Sequence, residues 1–575
     1  MLQVTPDGWE ARVDSAQIDG AGTTTFDVTT LRGRRAVQRW ERTSIGDVFE
    51  RLTWSYPEKT AIVGRPGAFA DERFRSLTYR EADRVANQVA HALAARGLQP
   101  GDRVLLFCEN SVEAFVTKIG IAKAGMVVMP LNPNLAEDVV EYLIGHAEPA
   151  LAIVDAELWP RAAAAFERAG LAVGATITLG GDPVAGSPSF PAFLEGQPEH
   201  EPDVEIHGDD IWEMLFTSGT TAMPKGVMTS HGSSYLAAMN FALSLTRGVR
   251  LEGDLRVGTF LPMIYHVGDL LFTLSAFLSG GTLVLGRRPV PDQVAEAVAE
   301  ERITALWAGS PQFVAALDRE IETAGHDVTS LGVLVYGWGA LAPKTYRALL
   351  DKAGEDLVVL GIFGQTEAIA CHRFWPAKWP DTYERTAPAV NYVGLPSPLL
   401  ASDVVDEVGE SLRDQPGVAG EAVYRSPIIT AGYYKNEEAT REAFRGGWFH
   451  SGDSAAVDED GLRIAVDRIK DIVKSGGENV SSLRVEAVLY EHSGVQRAAV
   501  VGLPHDRWGE AVTAVVVPAP DAEVTADDLV AHCRARLGGY ETPKAVVFAD
   551  ELPETVGGKI LKYKLRARFA DLYAG

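Results

Sequence analysis

From Ser44 to about residue 390 the chain alternates amphipathic helical stretches with short apolar runs. SIGDVFERLTWSYPEKTAIV reads as helix then strand, and YREADRVANQVAHALAARGLQPGDRVLLFCEN as helix, Pro-Gly turn and strand. VEAFVTKIGIAKAGMVVMPLNPN and VVEYLIGHAEPALAIVDA repeat the pattern. Such alternation confines a chain to α/β layers built on parallel sheets. The 575 residues exceed what one core encloses, ~250–300 residues. A proline-rich stretch, SPSFPAFLEGQPEHEPD, separates the first α/β run from a second that starts near residue 205. From about 393 to 467 short strands and turns replace the alternation, as expected of a small β-barrel-like subdomain. The expected organisation is a polar extension over 1–43, a large N-terminal domain over 44–467 made of two α/β subdomains plus the β-rich one, and a smaller α+β C-terminal domain over 468–575.

Charge and cysteine content remove several classes of function. A formal net charge of −25 repels phosphate backbones, so no nucleic-acid partner is expected, although local glycine loops and lysines still bind small anions. Cys108, Cys371 and Cys533 are far apart, giving neither a disulfide framework nor paired metal ligands. No HExxH supports zinc hydrolysis. The first residues lack a signal-peptide pattern, and no apolar run reaches the ~18 residues of a membrane span. A cytoplasmic protein, monomer or homodimer, is expected.

Five segments carry chemistry. In MLFTSGTTAMPKGVMTSH an apolar strand runs into Thr217, Ser218, Gly219, Thr220 and Thr221, then Pro224, Lys225 and Gly226. Hydroxyls and glycine amides wrap phosphate oxygens and the lysine adds charge, but the spacing is not a Walker A loop. GIFGQTEA sets Thr366 beside Glu367 at what reads as a strand-to-helix turn, a hydroxyl and carboxylate suited to Mg²⁺ and phosphate. Asp453 follows Ser-Gly in WFHSGDSA, a place where aspartate also serves as a turn former. The charges of DRIKDIVKSGG read by themselves as a solvated helix start, and Lys559, after two glycines in ELPETVGGKILKYKLR, as an exposed lysine.

Together these segments resemble the adenylate-forming superfamily: acyl-CoA synthetases, peptide-synthetase adenylation domains and firefly-type luciferases. The likeness extends over about residues 44 to 570. It implies that ATP lies across Thr217–Gly226, Lys225 included, that Thr366 meets the α-phosphate and that Glu367 holds Mg²⁺. It implies that Phe363, beside Gly364, and the Gly337–Ala340 turn, with Gly339 in it, flank adenine, and that Asp453 and Arg468 hold the ribose. Lys559 would bridge the acid carboxylate and α-phosphate, a charge placed where charge develops. Lys470 would be the hinge of a mobile C-terminal domain, and Gly476 and Gly477 would line a coenzyme A tunnel. LPMIYHVGDL matches the family element that puts His266 at the acid-site entrance, with Tyr265 in the pocket; a buried, satisfied histidine is the other reading of His266. Ala222 and Phe363 depart from the usual glycine and tyrosine.

The resemblance points to the acyl-CoA ligase branch. Tyr265-His266-Val267-Gly268 lacks the aspartate that holds an amino-acid ammonium, and no carrier segment follows the last motif. Trp338 stands where glycine is common, so a small or compact acid is expected in place of a long fatty acid. Nitrite activation for N–N bond formation, or transfer to a carrier protein or an amine, are the alternatives within the superfamily. Outside it, Gly337–Ala342 matches GxGxxA of a nicotinamide dehydrogenase, but the acidic residue expected at the end of the next strand is missing. A non-catalytic binding protein is disfavoured because the main motif residues are all present.

Overall fold

The computed structural model describes residues 2–5, 8–11, 43–217, 223–246, 251, 253–264, 268–520, 522–554 and 560–574. Most of the 1–43 extension lies outside them, and within it Leu2–Thr5 pairs antiparallel with Gly8–Ala11.

Two sheets pack about a shared layer of helices. In the first, Ile211–Thr217, Val127–Pro130, Arg103–Phe107, Leu151–Asp155 and Val173–Ile177 run parallel in that order. Lys225–Ser230 and Gly432–Tyr433 add antiparallel strands at its edge. In the second, Val358–Gln365, Val333–Tyr336, Ala305–Gly309, Arg256–Thr259, Thr282–Leu285 and Thr60–Gly64 are parallel. Alternation along each strand feeds both faces. Val104 and Leu106 face the shared layer, whereas Leu105 and Phe107 pack outward on Val140, Leu143 and Phe166. Likewise Trp307 and Val335 face inward, and Leu306 and Leu334 outward onto Val298, Val314 and Leu317.

The helix Val112–Lys123 lies in the shared layer and is buried along its whole length, capped by Ser111. Its charged side chains therefore need partners. Glu113 Oε1 accepts from the Ala70 and Asp71 amides, Lys118 pairs with Glu213, and Lys123 pairs with Asp83 and Glu201. At the carboxyl ends of the strands Arg287 bonds Glu109 at 3.0 Å and Asp155 at 2.7 Å, while Asn110 donates to the Leu261 and Gly286 carbonyls. These bonds stitch the two sheets together on the side that carries the site.

The proline-rich stretch does not divide the sheets as expected. Thr60–Gly64 and Ser76–Thr78 precede it yet belong to the second sheet; Ile211–Thr217 and Lys225–Ser230 follow it yet belong to the first. Proline marks a break in periodicity, whereas sheet membership is set by distant pairing. The β-rich segment is not barrel-like either. Asn391–Pro396 pairs with Ala368–Phe374 on one side and Arg463–Arg468 on the other. Phe449–Val457, Gly420–Arg425 and Ala401–Val405 then extend the second sheet as an open antiparallel run, with no closure among the described strands.

The smaller C-terminal part orders Glu478–Val480, Val473–Ser475, Gly509–Pro518 and Val495–His505, with Ala545–Phe548 parallel to Gly509–Pro518. Helices Ser482–Tyr490, Ala526–Arg534 and Lys562–Arg568 accompany this sheet. Among the described residues no helix is long and apolar enough to cross a membrane.

Burial raises the Glu113 carboxyl to about 7 from an ordinary 4.5. The folded state thus holds a proton that the unfolded chain releases, so this group's contribution is present below about pH 4.5 and lost as pH rises through 7. Relative to Glu113→Gln, which keeps the acceptor for both amides, the native chain should lose on the order of 3 kcal/mol between about pH 5 and 8. Denaturant unfolding across that range checks this; parallel pH profiles would contradict it.

Candidate active site

The phosphate-loop segment is a hairpin connection between antiparallel strands. Thr217 and Lys225 are direct cross-strand partners. Ser218, Gly219, Thr220, Thr221 and Ala222 lie outside the described residues. Lys225 Nζ stands 4.7 Å from the centroid of the Tyr433 ring, a cation–π contact.

Thr366 and Glu367 form the two-residue turn between Val358–Gln365 and Ala368–Phe374, not the entry to a helix. Gln365 and Ala368 are still paired across the ladder, which holds the turn rigid. The Tyr433 hydroxyl donates to Glu367 Oε1 at 2.9 Å, and the Glu367 carbonyl accepts from the Thr430 amide at 2.8 Å. Burial and the Glu367 charge push the Tyr433 phenol far above its ordinary pKa, so it stays a donor. One anchored carboxylate beside a phosphate loop fits Mg²⁺, which takes few protein oxygens and completes its shell with phosphate and water. Gln365 adds a buried amide Nε2 that no acceptor among the described residues takes up. Phe363 is half-buried, its ring 6.4 Å from that of His372.

Asp453 and Arg468 face each other across the antiparallel pair Phe449–Val457 and Arg463–Arg468. Their side chains pair, Arg468 Nε to Asp453 Oδ1 at 2.8 Å, although the sequence assigns each to ribose. Arg468 also lowers the Tyr433 pKa through its charge, so it lies within electrostatic reach of the Glu367 group. Lys225, Tyr433, Glu367, Arg468 and Asp453 are thus brought together from five separate stretches of chain.

The residues after Arg468 do not start a helix. Lys470 is exposed in a turn, its carbonyl accepting from Arg566 at 3.3 Å. Gly476 and Gly477 then form the tight turn between Val473–Ser475 and Glu478–Val480. Their φ values of 63° and 91° explain the Gly-Gly pair, since both central residues of such a hairpin turn lie in the left-handed region. The Gly476 amide donates to the Trp508 carbonyl at 2.8 Å. Lys559 lies outside the described residues. Just after it, Lys562 is buried, 2.8 Å from Glu486 and donating to Ser482 Oγ at 2.5 Å.

Tyr265 and His266 also lie outside the described residues. Gly337 is buried at the end of Val333–Tyr336, where a Cβ would come within 3.2 Å of the Ile362 carbonyl oxygen; Gly339 lies in the same turn with more room. Between them Trp338 takes a φ of 65°, uncommon for a bulky residue, and packs 5.5 Å from Trp307. Trp307 in turn stacks on Phe272 at 4.7 Å and 10°.

Sequence reasoning missed Tyr433, Trp307 and Lys562. The GYY of AGYYKN marks a turn but does not say which tyrosine points at Glu367. Trp307 lies in an apolar run that reads as plain core. Lys562 was visible only as part of the motif around Lys559.

A family model described as AMP-binding enzyme matches residues 49–434, and one described as AMP-binding enzyme C-terminal domain matches 484–559. The chain is 34% identical to a feruloyl-CoA synthase from Amycolatopsis sp. over 515 residues, covering 90% of this chain and 98% of that protein. It is 31% identical over 524 residues to the long-chain-fatty-acid–CoA ligase FadD13 of Mycobacterium tuberculosis, covering 91% and 99%. The solved structure of the anthranilate CoA ligase AuaEII with anthranoyl-AMP superposes with a TM-score of 0.80 at 25% identity, covering 92% of this chain and 98% of that one. The chain belongs to the AMP-binding enzyme family, in its acyl-CoA ligase branch.

Proposed function

We propose that this chain joins ATP to a small or compact carboxylic acid, releases pyrophosphate, and passes the acyl group from the resulting acyl-AMP to coenzyme A. The observation that carries this reading is the convergence of Lys225, Tyr433, Glu367, Arg468 and Asp453 at the ends of the phosphate hairpin.

In this mechanism the triphosphate lies across Thr217–Lys225 and the adenine between Phe363 and the Gly337–Gly339 turn. Arg468, presented by Asp453, meets the ribose. Glu367 would hold Mg²⁺, which when bound neutralises phosphate charge. A carboxylate oxygen of the acid attacks the α-phosphorus, the bond to the β-phosphate oxygen breaks, and pyrophosphate leaves. Thr366 and Lys559 meet the charge that develops, with His266 and Tyr265 at the acid site. The C-terminal part then turns about Lys470 and presents Gly476–Gly477 to the coenzyme A arm. The thiolate sulfur attacks the acyl carbon and AMP departs. The protein's contribution is position and charge, without a covalent enzyme intermediate. Trp338 closing the pocket supports a compact acid. We place the enzyme in the cytoplasm, as a monomer or homodimer.

Three outcomes test this reading. Pyrophosphate–ATP exchange with acids from acetate to palmitate and with aromatic acids should favour compact ones, and a clear preference for palmitate would sink the size assignment. Lys559→Ala should lose on the order of 10²-fold or more in adenylation while preformed acyl-adenylate still reacts with coenzyme A; equal loss in both half-reactions contradicts the role. Tyr433→Phe keeps the ring under Lys225 but frees Glu367. It should weaken Mn²⁺ binding to the enzyme–nucleotide complex, read by electron paramagnetic resonance, on the order of tenfold, with metal-free nucleotide affinity unchanged. Unaltered Mn²⁺ affinity would remove Tyr433 from the site.

A further inference from the structure

Trp307 is 6% exposed, and its indole Nε1 is buried with no hydrogen-bond partner among the described residues. A buried indole N–H ordinarily finds an acceptor, because leaving one unmade costs roughly 1–3 kcal/mol. The same chain observes that rule elsewhere: Trp212, equally internal, donates to Ser234 Oγ at 2.8 Å. The unspent donor at Trp307 therefore needs its own explanation.

Its location supplies one. Trp307 sits near the carboxyl end of the parallel strand Ala305–Gly309, and open α/β sheets take their ligands beyond such ends. Its ring is held between two others, stacked on Phe272 at 4.7 Å and tilted 51° to Trp338 at 5.5 Å. Trp338 is itself 40% exposed, so the pile reaches the surface at the site. Gly309 keeps the strand end bare: a Cβ there would lie 2.8 Å from Leu261 and 3.0 Å from the Trp338 ring. The backbone is shaped to admit Trp338 against Trp307; Phe272, Leu261, Trp338 and Ile362 bring no side-chain acceptor, and the hydroxyl of Thr259, the strand partner of Trp307, makes no bond to the indole.

We infer that Trp307 determines specificity: its indole N–H receives an oxygen acceptor on the acid, so the substrate is a compact, planar acid bearing a hydroxyl, ether or carbonyl oxygen besides its carboxylate. This deepens the proposed ligase reading and rests on it. Flat rings favour a planar substrate, Trp338 limits its length, and the indole donor selects against a bare hydrocarbon.

The test uses the full chain and exchange of pyrophosphate with ATP. Benzoate is compared with 4-hydroxybenzoate, and cinnamate with ferulate. The native chain should favour the oxygen-bearing acid of at least one pair by about tenfold in kcat/KM, and Trp307→Phe should bring that ratio within about twofold. A ratio unchanged in Trp307→Phe, or no native preference in either pair, overturns the inference while leaving the ligase reading intact. No exchange with any acid, aliphatic ones included, fells the ligase reading and this inference with it. Should the variant fail to fold, ultraviolet resonance Raman of the native chain reads the indole N–H directly. The hydrogen-bond-sensitive tryptophan band should shift with the oxygen-bearing acid and not with the bare one; identical spectra overturn the inference.

Discussion

The buried pair of Lys118 and Glu213 governs where everything else in the site falls. Lys118 belongs to the helix between the two sheets, and Glu213 to the strand that ends at Thr217. Lys118 also donates to the carbonyl of Ile264, the residue before Tyr265, and lies over the Trp212 ring at 5.4 Å. One ammonium thus fixes the strand that ends at Thr217, the segment ending at Ile264 and the shared helix layer at once. Two charges at this depth are costly to bring from water, and removing either partner would strand the other at a penalty of roughly 3–5 kcal/mol. The register of Ile211–Thr217 relative to the segment ending at Ile264 is therefore not free to drift.

What the sequence reveals is what depends on local chemistry. Thr217 to Lys225, Thr366–Glu367, Asp453, Arg468 and Gly476–Gly477 each announce a turn or strand end through residue type. Helix caps such as Ser111 and the Thr78–Glu81 capping box are likewise local. Long-range pairing escapes such reading. Nothing in TAIVG says that it will lie beside TLVL, some 220 residues on, in the second sheet. Thr366–Glu367 looked like a helix entry because the partner strand AIACHRF has no break before it. Tyr433 gains its role only because Gly432–Tyr433 pairs with Met228 and Val227, which sets its hydroxyl beside a carboxylate 66 residues away.

Trp338 shows how a sequence anomaly and a backbone anomaly explain each other. Among the described non-glycine residues with positive φ, Glu148 and Arg302 cap helix ends, a common use of that conformation. Trp338 caps no helix. It occupies a turn where glycine would be unstrained, at an expense of roughly 1–2 kcal/mol. Contact with Trp307 offsets part of that expense.

The C-terminal part carries a matching constraint around Lys470. Before it, Asp467 accepts from the Ser482 amide at 2.7 Å and hydroxyl at 2.6 Å, and that hydroxyl accepts from Lys562. After it, Asp471 pairs with Arg566 at 2.6 Å. Helix Lys562–Arg568, which follows the Lys559 segment, is thereby tied to both sides of the proposed hinge. A turn about Lys470 can carry Asp471 and Arg566 along together, but it must part Asp467 from Ser482, because they stand on opposite sides of the pivot. Bonds to a charged acceptor are worth roughly 1.5–3 kcal/mol each. For both half-reactions to proceed at useful rates, the second arrangement must supply contacts of similar worth, since a bound substrate shifts such an equilibrium only by its differential affinity for the two states. Asp467 thus measures how strongly coenzyme A and acyl-adenylate must favour the turned arrangement over the one described here.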